Sequence, residues 1–178
     1  MKYIKSRGEY HRMYDFWKPL RERIVECHRS HDHDRGFMDG VLTGLTDAKK
    51  KTADPELVKM YKRFIGNKHF TYSTAPKVEW HHGRLRVRIN PEMILTIGDQ
   101  RVIIKLYFKA EPLSGPRVSL IHVLMASTLE NKLPAGTDYG LLEVRRNKLY
   151  TTAEPNFDLL PSLAGEAENF ITIWNALP

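Results

Sequence analysis

Residues 27 to 40 group side chains that can bind zinc or another divalent metal. The group contains His28, His31, His33, Asp32 and Asp34. His28 and His31 are spaced to share one helix face, but His33 would then point elsewhere. The segment has no HExxH motif and no pair of cysteines. We therefore predict no metal site, with the three histidines as the alternative, and interpret the segment as a polar loop whose aspartates cap a helix.

Cationic side chains alternate with apolar ones between residues 84 and 109, RLRVRINPEMILTIGDQRVIIKLYFK. In a strand, alternate residues lie on opposite sides, and Gly98-Asp99 is typical of a two-residue hairpin turn. The sequence therefore predicts an antiparallel meander with one apolar and one basic face. The apolar side comprises Leu85, Val87, Ile89, Val102, Ile104, Leu106 and Phe108. The basic side comprises Arg84, Arg86, Arg88, Arg101, Lys105, Tyr107 and Lys109, with Ile103 among them.

Guanidinium and ammonium groups on a rigid surface bind phosphates, and an aromatic ring between them can stack on a base. The seven polar residues of the basic face are therefore a candidate nucleic-acid-binding surface, with Trp80 as a further ring for stacking. The chain has 28 Lys and Arg against 21 Asp and Glu, a net charge of +7, which favours a polyanionic partner. We expect DNA rather than RNA. The alternative is a solvated polar face without a partner.

The composition indicates the class of protein. At 178 residues the chain is long enough for one domain. No apolar run approaches the roughly 18 residues of a membrane span, and the N-terminus has no apolar core typical of a signal peptide. The single cysteine, Cys27, fits a reducing compartment. We expect a cytoplasmic protein that does not contact membranes.

Helical periodicity and capping residues predict the elements around the meander. The expected helices cover residues 9 to 30, with a kink or a start at Pro19, a short segment within 36 to 50, residues 54 to 66, a segment opened by Ser114-Gly115-Pro116, and residues 159 to 177. Asp54-Pro55 is the expected start of the third helix, and Gly66 its end. Short strands are expected at residues 78 to 80, 141 to 144 and 149 to 150.

The resulting α-β-β-β-α-β order, over residues 54 to 150, resembles the core of the restriction-endonuclease-like superfamily, the PD-(D/E)xK nucleases. In that family an acid after a proline opens one strand, and a second acid and a lysine follow on the next strand. Pro91-Glu92 looks like the first element. In the second element, Lys105 takes the acid's place and Tyr107 the lysine's; aligned on Lys109 instead, Tyr107 replaces the acid. Neither alignment supplies the acid pair that holds Mg²⁺.

The resemblance implies an α+β fold with two parts, a helical N-terminal extension at 1–53 and a nuclease-like core at 54–178 with a mixed sheet flanked by helices. It implies a nucleic-acid-binding protein that does not cleave its ligand and needs no cofactor. One alternative is an active Mg²⁺-dependent nuclease that uses Glu92 with Glu79 or Glu111, and Lys105 or Lys109 near the scissile phosphate. Another is an interaction scaffold in which Trp17 and Trp174 meet a partner protein or a second copy, although core packing suits both rings better.

Overall fold

The computed structural model describes residues 15–30 and 34–177, which form four α-helices and seven strands. The helices are α1 (Lys18–Ser30), α2 (Ala48–Ile65), α3 (Gly115–Leu129) and α4 (Leu160–Ala176). The strands are β1 (Phe70–Ser73), β2 (Val78–His82), β3 (Leu85–Ile89), β4 (Met93–Ile97), β5 (Gln100–Tyr107), β6 (Thr137–Glu143) and β7 (Lys148–Thr152). No helix within these residues is both long enough and apolar enough to cross a bilayer.

Five strands form a mixed sheet in the order β1-β4-β5-β6-β7. Neighbours are antiparallel except β5 and β6, which are parallel. A parallel pair needs a crossover, and helix α3 supplies it. The general α+β class with a mixed sheet and flanking helices is therefore confirmed.

Strands β2 and β3 form a separate two-stranded ribbon within the connection between β1 and β4. The meander predicted for residues 84 to 109 is thus wrong in its first strand, because β3 pairs with β2 and not with β4. Gly83, with φ 54°, allows the tight turn that returns the chain onto β2. Pro91 has no amide hydrogen to extend the pairing beyond β3. The cationic residues consequently do not share one sheet face.

Both faces of the five-stranded sheet are covered by helices. Val102, Ile104 and Leu106 of β5 point into a core shared with α1 and α2. Ile103 points to the other side, into a core shared with α3 and with the ribbon. The apolar face is buried by helices as expected. The opposite face is also covered, because Ile103 at its centre is apolar and is buried against α3 and the ribbon.

The helix bounds confirm some local predictions and correct others. Helix α3 follows Ser114, and α2 ends at Gly66 with φ 52°, both as predicted. However, the cap of α2 lies seven residues before Asp54, because the side chain of Asp47 caps the helix by accepting from the amides of Lys49 and Lys50. Pro55 therefore lies inside the helix.

The boundary expected between residues 53 and 54 falls within α2. Leu20 and Ile24 of α1 lie in the same core as the sheet, so this helix packs on it. Helix α1 begins at Lys18, next to Pro19, which agrees with the second of the two alternatives for that helix. The predicted residues 9 to 14 lie outside the described part of the chain.

Candidate nucleic-acid interface

Glu92 and Lys105 form an ion pair where strands β4 and β5 meet. The hairpin places the two residues side by side, with the amide of Glu92 donating to the carbonyl of Ile104 at 2.9 Å. Lys105 Nζ lies 2.7 Å from Glu92 Oε1, and the amide of Leu106 donates to Oε2 at 2.7 Å. The Glu92 side chain is only 4% exposed, so both carboxylate oxygens are bonded and shielded from solvent.

Neighbouring groups hold this pair in place. Lys105 Nζ also donates to the carbonyl oxygen of Asn90 at 3.0 Å. Arg21 of α1 approaches Glu92 with Nε 3.9 Å from Oε1, and its guanidinium is bonded to Asp15. The cluster therefore joins β4 and β5 through charge-assisted hydrogen bonds, and the Arg21–Glu92 ion pair links α1 to them.

These residues do not fit Mg²⁺. Magnesium needs several oxygen ligands at about 2.0–2.1 Å, and here an ammonium group already occupies Glu92 Oε1. Glu79 lies on the ribbon beside Arg88, and Glu111 is paired with Arg117 at 2.8 Å. The described residues contain no group of three His, Cys, Asp or Glu side chains placed to hold a metal ion.

The predicted metal-binding and catalytic residues otherwise lie apart. His28 is buried, and its Nε2 is 2.6 Å from the hydroxyl of Tyr61, so it contributes to the core. His31 and His33 fall outside the described residues. Lys109 is exposed just beyond the end of β5.

A polar cleft of about 500 Å³ opens beside Glu92. Its lining carries three cationic side chains, Arg21, Arg29 and Lys77, and three carboxylates, Glu22, Glu26 and Glu92. Because these charges balance, the cleft alone does not favour a polyanion. Lys77 and Asn90 flank the base of the ribbon, so the cleft is continuous with the ribbon.

The ribbon carries what we call the arginine row, Arg84, Arg86 and Arg88. Arg84 lies in the turn, whereas Arg86 and Arg88 project from β3 and are exposed. The alternate residues of the ribbon pack inward, with Val78, Trp80 and Val87 against α3. This packing leaves the arginines facing solvent, as the period of two requires.

The arginine row is only weakly compensated by acids. Arg88 is 70% exposed and lies 4.0 Å from Glu79, the residue opposite it on β2. Arg84 and Arg86 form no ion pair with any described residue. Arg86 lies opposite His81. The row is therefore a local excess of positive charge on a rigid support.

The remaining residues of the predicted basic face are dispersed. Arg101 is half-buried in the five-stranded sheet, between Thr96 of β4 and Thr137 of β6. Lys105 is engaged by Glu92. The hydroxyl of Tyr107 donates to the carbonyl of Glu111 at 2.9 Å, and its ring packs in the small core under α3, where burial raises the pKa of the phenol.

Comparison with family models, curated proteins and solved structures found no match for this chain. The arrangement of the described residues is therefore what distinguishes the candidate functions. The structure brings Arg84, Arg86 and Arg88 together as a surface, and it brings Glu92 and Lys105 together as a satisfied pair.

An apolar groove between the ribbon and α4 has no counterpart among the sequence-based predictions. The groove has a volume of about 440 Å³ and is lined by Arg84, Leu85, Arg86, Phe170, Ile171, Trp174 and Asn175. Phe170 and Trp174 are four residues apart and lie on one helix face, a spacing that we interpreted as core packing. Trp17, in contrast, is partly buried against Phe108, with ring centroids 5.6 Å apart. Trp80 stacks on His82 on the inner side of the ribbon.

Proposed function

We propose that this protein binds nucleic acid through the arginine row and does not cleave it. The single observation that carries the proposal is the set of exposed, poorly compensated arginines on a ribbon whose other side is packed against the core. Arg86 and Arg88 are two residues apart on one strand, which places their Cα atoms about 6.6 Å apart. Such a row can neutralise successive phosphates without ordering a flexible segment.

The Glu92–Lys105 pair supports the absence of catalysis. Phosphodiester hydrolysis by a metal-dependent nuclease needs carboxylates free to coordinate the ion. Both oxygens of Glu92 already accept hydrogen bonds within 2.7 Å. The described residues thus hold this acid in a structural role.

The topology supports a restriction-endonuclease-like core as part of this proposal. The elements α2, β1, β4, β5, α3 and β6 follow the α-β-β-β-α-β order, with the ribbon inserted between β1 and β4. Glu92, after Pro91 and at the start of β4, takes the position of that family's first acid. Lys105 takes the position of the second, which agrees with a degenerate site.

The test is binding of labelled single-stranded and duplex DNA by fluorescence anisotropy, at several salt concentrations and without metal. The double variant Arg84→Glu/Arg86→Glu should bind more weakly and reduce the slope of log affinity against log salt by about 1 to 2, because up to two phosphate contacts are lost. The matched control is Lys59→Glu/Arg63→Glu, an equal charge change at exposed positions of α2.

Equal weakening by the two double variants would show that net charge alone drives binding, and would overturn the role of the arginine row. Absence of salt-dependent binding would overturn nucleic-acid binding altogether. Incubation with Mg²⁺ or Mn²⁺ should leave the DNA intact. Metal-dependent cleavage that Glu92→Gln abolishes would overturn the non-catalytic part of the proposal.

A further inference from the structure

Helix α4 presents an apolar stripe that the other described residues cover incompletely. The stripe contains Leu160, Leu163, Ala164, Ala167, Phe170, Ile171 and Trp174, spaced three and four residues apart. Within this helix Ala167 alone is buried. The large apolar residues exposed in the described chain, Phe157, Leu160 and Ile173, all lie in or next to it. The C-terminal helix therefore leaves apolar surface in contact with water, at a cost to folding.

The groove beside this stripe has aromatic side chains on one wall and cations on the other. Phe170 and Trp174 are stacked, with ring centroids 5.9 Å apart and planes at 21°. Arg84 and Arg86 line the opposite wall, and neither forms an ion pair with a described residue. Glu168, on the same helix, is bonded to His82 at 2.7 Å. The charge at the groove is therefore positive.

We propose that this groove binds unpaired bases of a single-stranded nucleic acid, while Arg84 and Arg86 bind the adjoining phosphates. The inference rests on the proposed function and extends it to the class of ligand. Proteins that bind single strands combine a cationic surface along the backbone with aromatic rings on which bases stack. Here Arg84 and Arg86 belong both to the cationic row and to the wall of the groove that faces Phe170 and Trp174.

The chemistry favours a single strand over a duplex. A base in a duplex presents only its edges in the grooves, because both ring faces are stacked on neighbouring base pairs. The rings of Phe170 and Trp174 can offer a face only to a base that has left its stack. The exposed amide of Asn175 stands at the rim, where it can donate to or accept from a base edge.

An acidic peptide with an apolar side chain is the competing occupant. It would also bring negative charge and apolar surface to the groove. The single strand is the better match, because it brings planar groups and phosphates at a regular spacing, and because the arginines continue along β3 to Arg88. Binding of such a peptide in place of the single strand is therefore one of the results that the experiment distinguishes.

The experiment compares the full chain with Trp174→Ala and Trp174→Phe, using a single-stranded oligonucleotide and the duplex of the same sequence at fixed salt. Trp174→Ala should weaken single-strand binding roughly 5- to 150-fold, the equivalent of about 1–3 kcal/mol for one stacked base. Trp174→Phe should retain most of the affinity, and duplex binding should change less than twofold in both variants. Circular dichroism checks that each variant is folded.

Intrinsic fluorescence gives a second measurement, which reports contact of the bound base with Trp174 rather than affinity. A stacked base should quench the emission of Trp174, so the quenching seen with the single strand should be absent in Trp174→Phe, which keeps Trp17 and Trp80. Unchanged quenching in that variant would place the bases elsewhere.

The outcomes separate the inference from the proposed function. If Arg84→Glu/Arg86→Glu weakens binding but Trp174→Ala does not, the groove inference is overturned and the arginine row stands. If neither DNA form binds in a salt-dependent way, both are overturned. If an acidic aromatic peptide quenches Trp174 and the single strand does not, the groove is a peptide site and the inference is wrong.

Discussion

The Glu92–Lys105 pair and the arginine row differ in how the chain uses positive charge. Lys105 is 31% exposed and bonded to Glu92, which is 4% exposed, so the charge of the lysine is neutralised within the protein. Arg88 is 70% exposed, and its nearest acid is 4.0 Å away. Lys105 helps to hold β4 and β5 together, whereas Arg88 remains available to a partner.

This difference shows that a cation is informative about function only when its partners are known. In the sequence, Lys105 and Arg86 both occupy polar positions of an alternating strand. A buried pair that loses one member leaves an unsatisfied charge, whereas an exposed cation can be removed at little cost. Stability measurements can therefore test the assignment of each residue before any ligand is known.

Glu92→Ala should have the largest effect. It leaves the amide of Leu106 without its acceptor and the ammonium of Lys105 with only the oxygens of Asn90 and no counter-charge. We expect a loss of about 2–4 kcal/mol in the free energy of unfolding, below the value for a wholly buried pair because Lys105 is partly exposed. Urea denaturation measures this, with Arg88→Ala as the comparison, expected within about 0.5 kcal/mol of the parent. Similar losses in the two variants would remove the distinction between them.

Glycine substitutions should separate the five-stranded sheet from the ribbon. A Cβ at Gly140 of β6 would lie 2.5 Å from Val102 Cγ1 and 3.2 Å from the carbonyl oxygen of Ile103, so Gly140→Ala should cost about 1–3 kcal/mol. At Gly83 nothing lies within 4 Å, and only its φ of 54° opposes a side chain.

Gly83→Ala should therefore cost about 1 kcal/mol, and Gly83→Asn less, because asparagine tolerates the left-handed region. Thermal unfolding followed by circular dichroism compares the three variants. A larger loss at Gly83 than at Gly140 would mean that the ribbon turn, rather than the sheet, is the more constrained part.

The pH dependence that His122 gives to stability, on the side of the sheet under α3, should be the smallest effect. His122 is 5% exposed, its Nε2 has no hydrogen-bond partner among the described residues, and burial lowers its pKa from the usual 6.5. The unfolded chain then binds a proton more readily than the folded one, so stability falls as pH drops below about 6.5. Denaturation at several pH values should show a shallower decline for His122→Gln. An identical decline would rule out His122 as its source.

Turn and capping residues in the sequence correctly predicted several turns and helix ends. The Gly98-Asp99 turn, the start of α3 at Ser114 and the end of α2 at Gly66 depend on a few adjacent residues, and all three are confirmed. The predicted start of α2 was wrong because Asp47 and Asp54 are equally good capping residues by type. Which of them caps depends on how much of the following helix packs in the core.

Non-local features were harder to predict. An alternating strand such as β3 fits any neighbour of the same pattern, so its pairing with β2 depends on tertiary context. One of the two alignments with the PD-(D/E)xK motif put Lys105 at the second acid position, but neither predicted that the lysine would bond Glu92. Binding by Arg84, Arg86 and Arg88 remains a prediction.

The position of the ribbon has a consequence for how such a chain can change over generations. Ser73 of β1 pairs with Ile94 of β4, so the two ends of the inserted segment emerge side by side from the sheet. Insertions whose ends are close can be lengthened, shortened or exchanged with little disturbance of the framework. The solvent-facing side of the ribbon can therefore change without disturbing the sheet, whereas an exchanged ribbon would have to keep Glu92 and the inward-facing Val78, Trp80 and Val87.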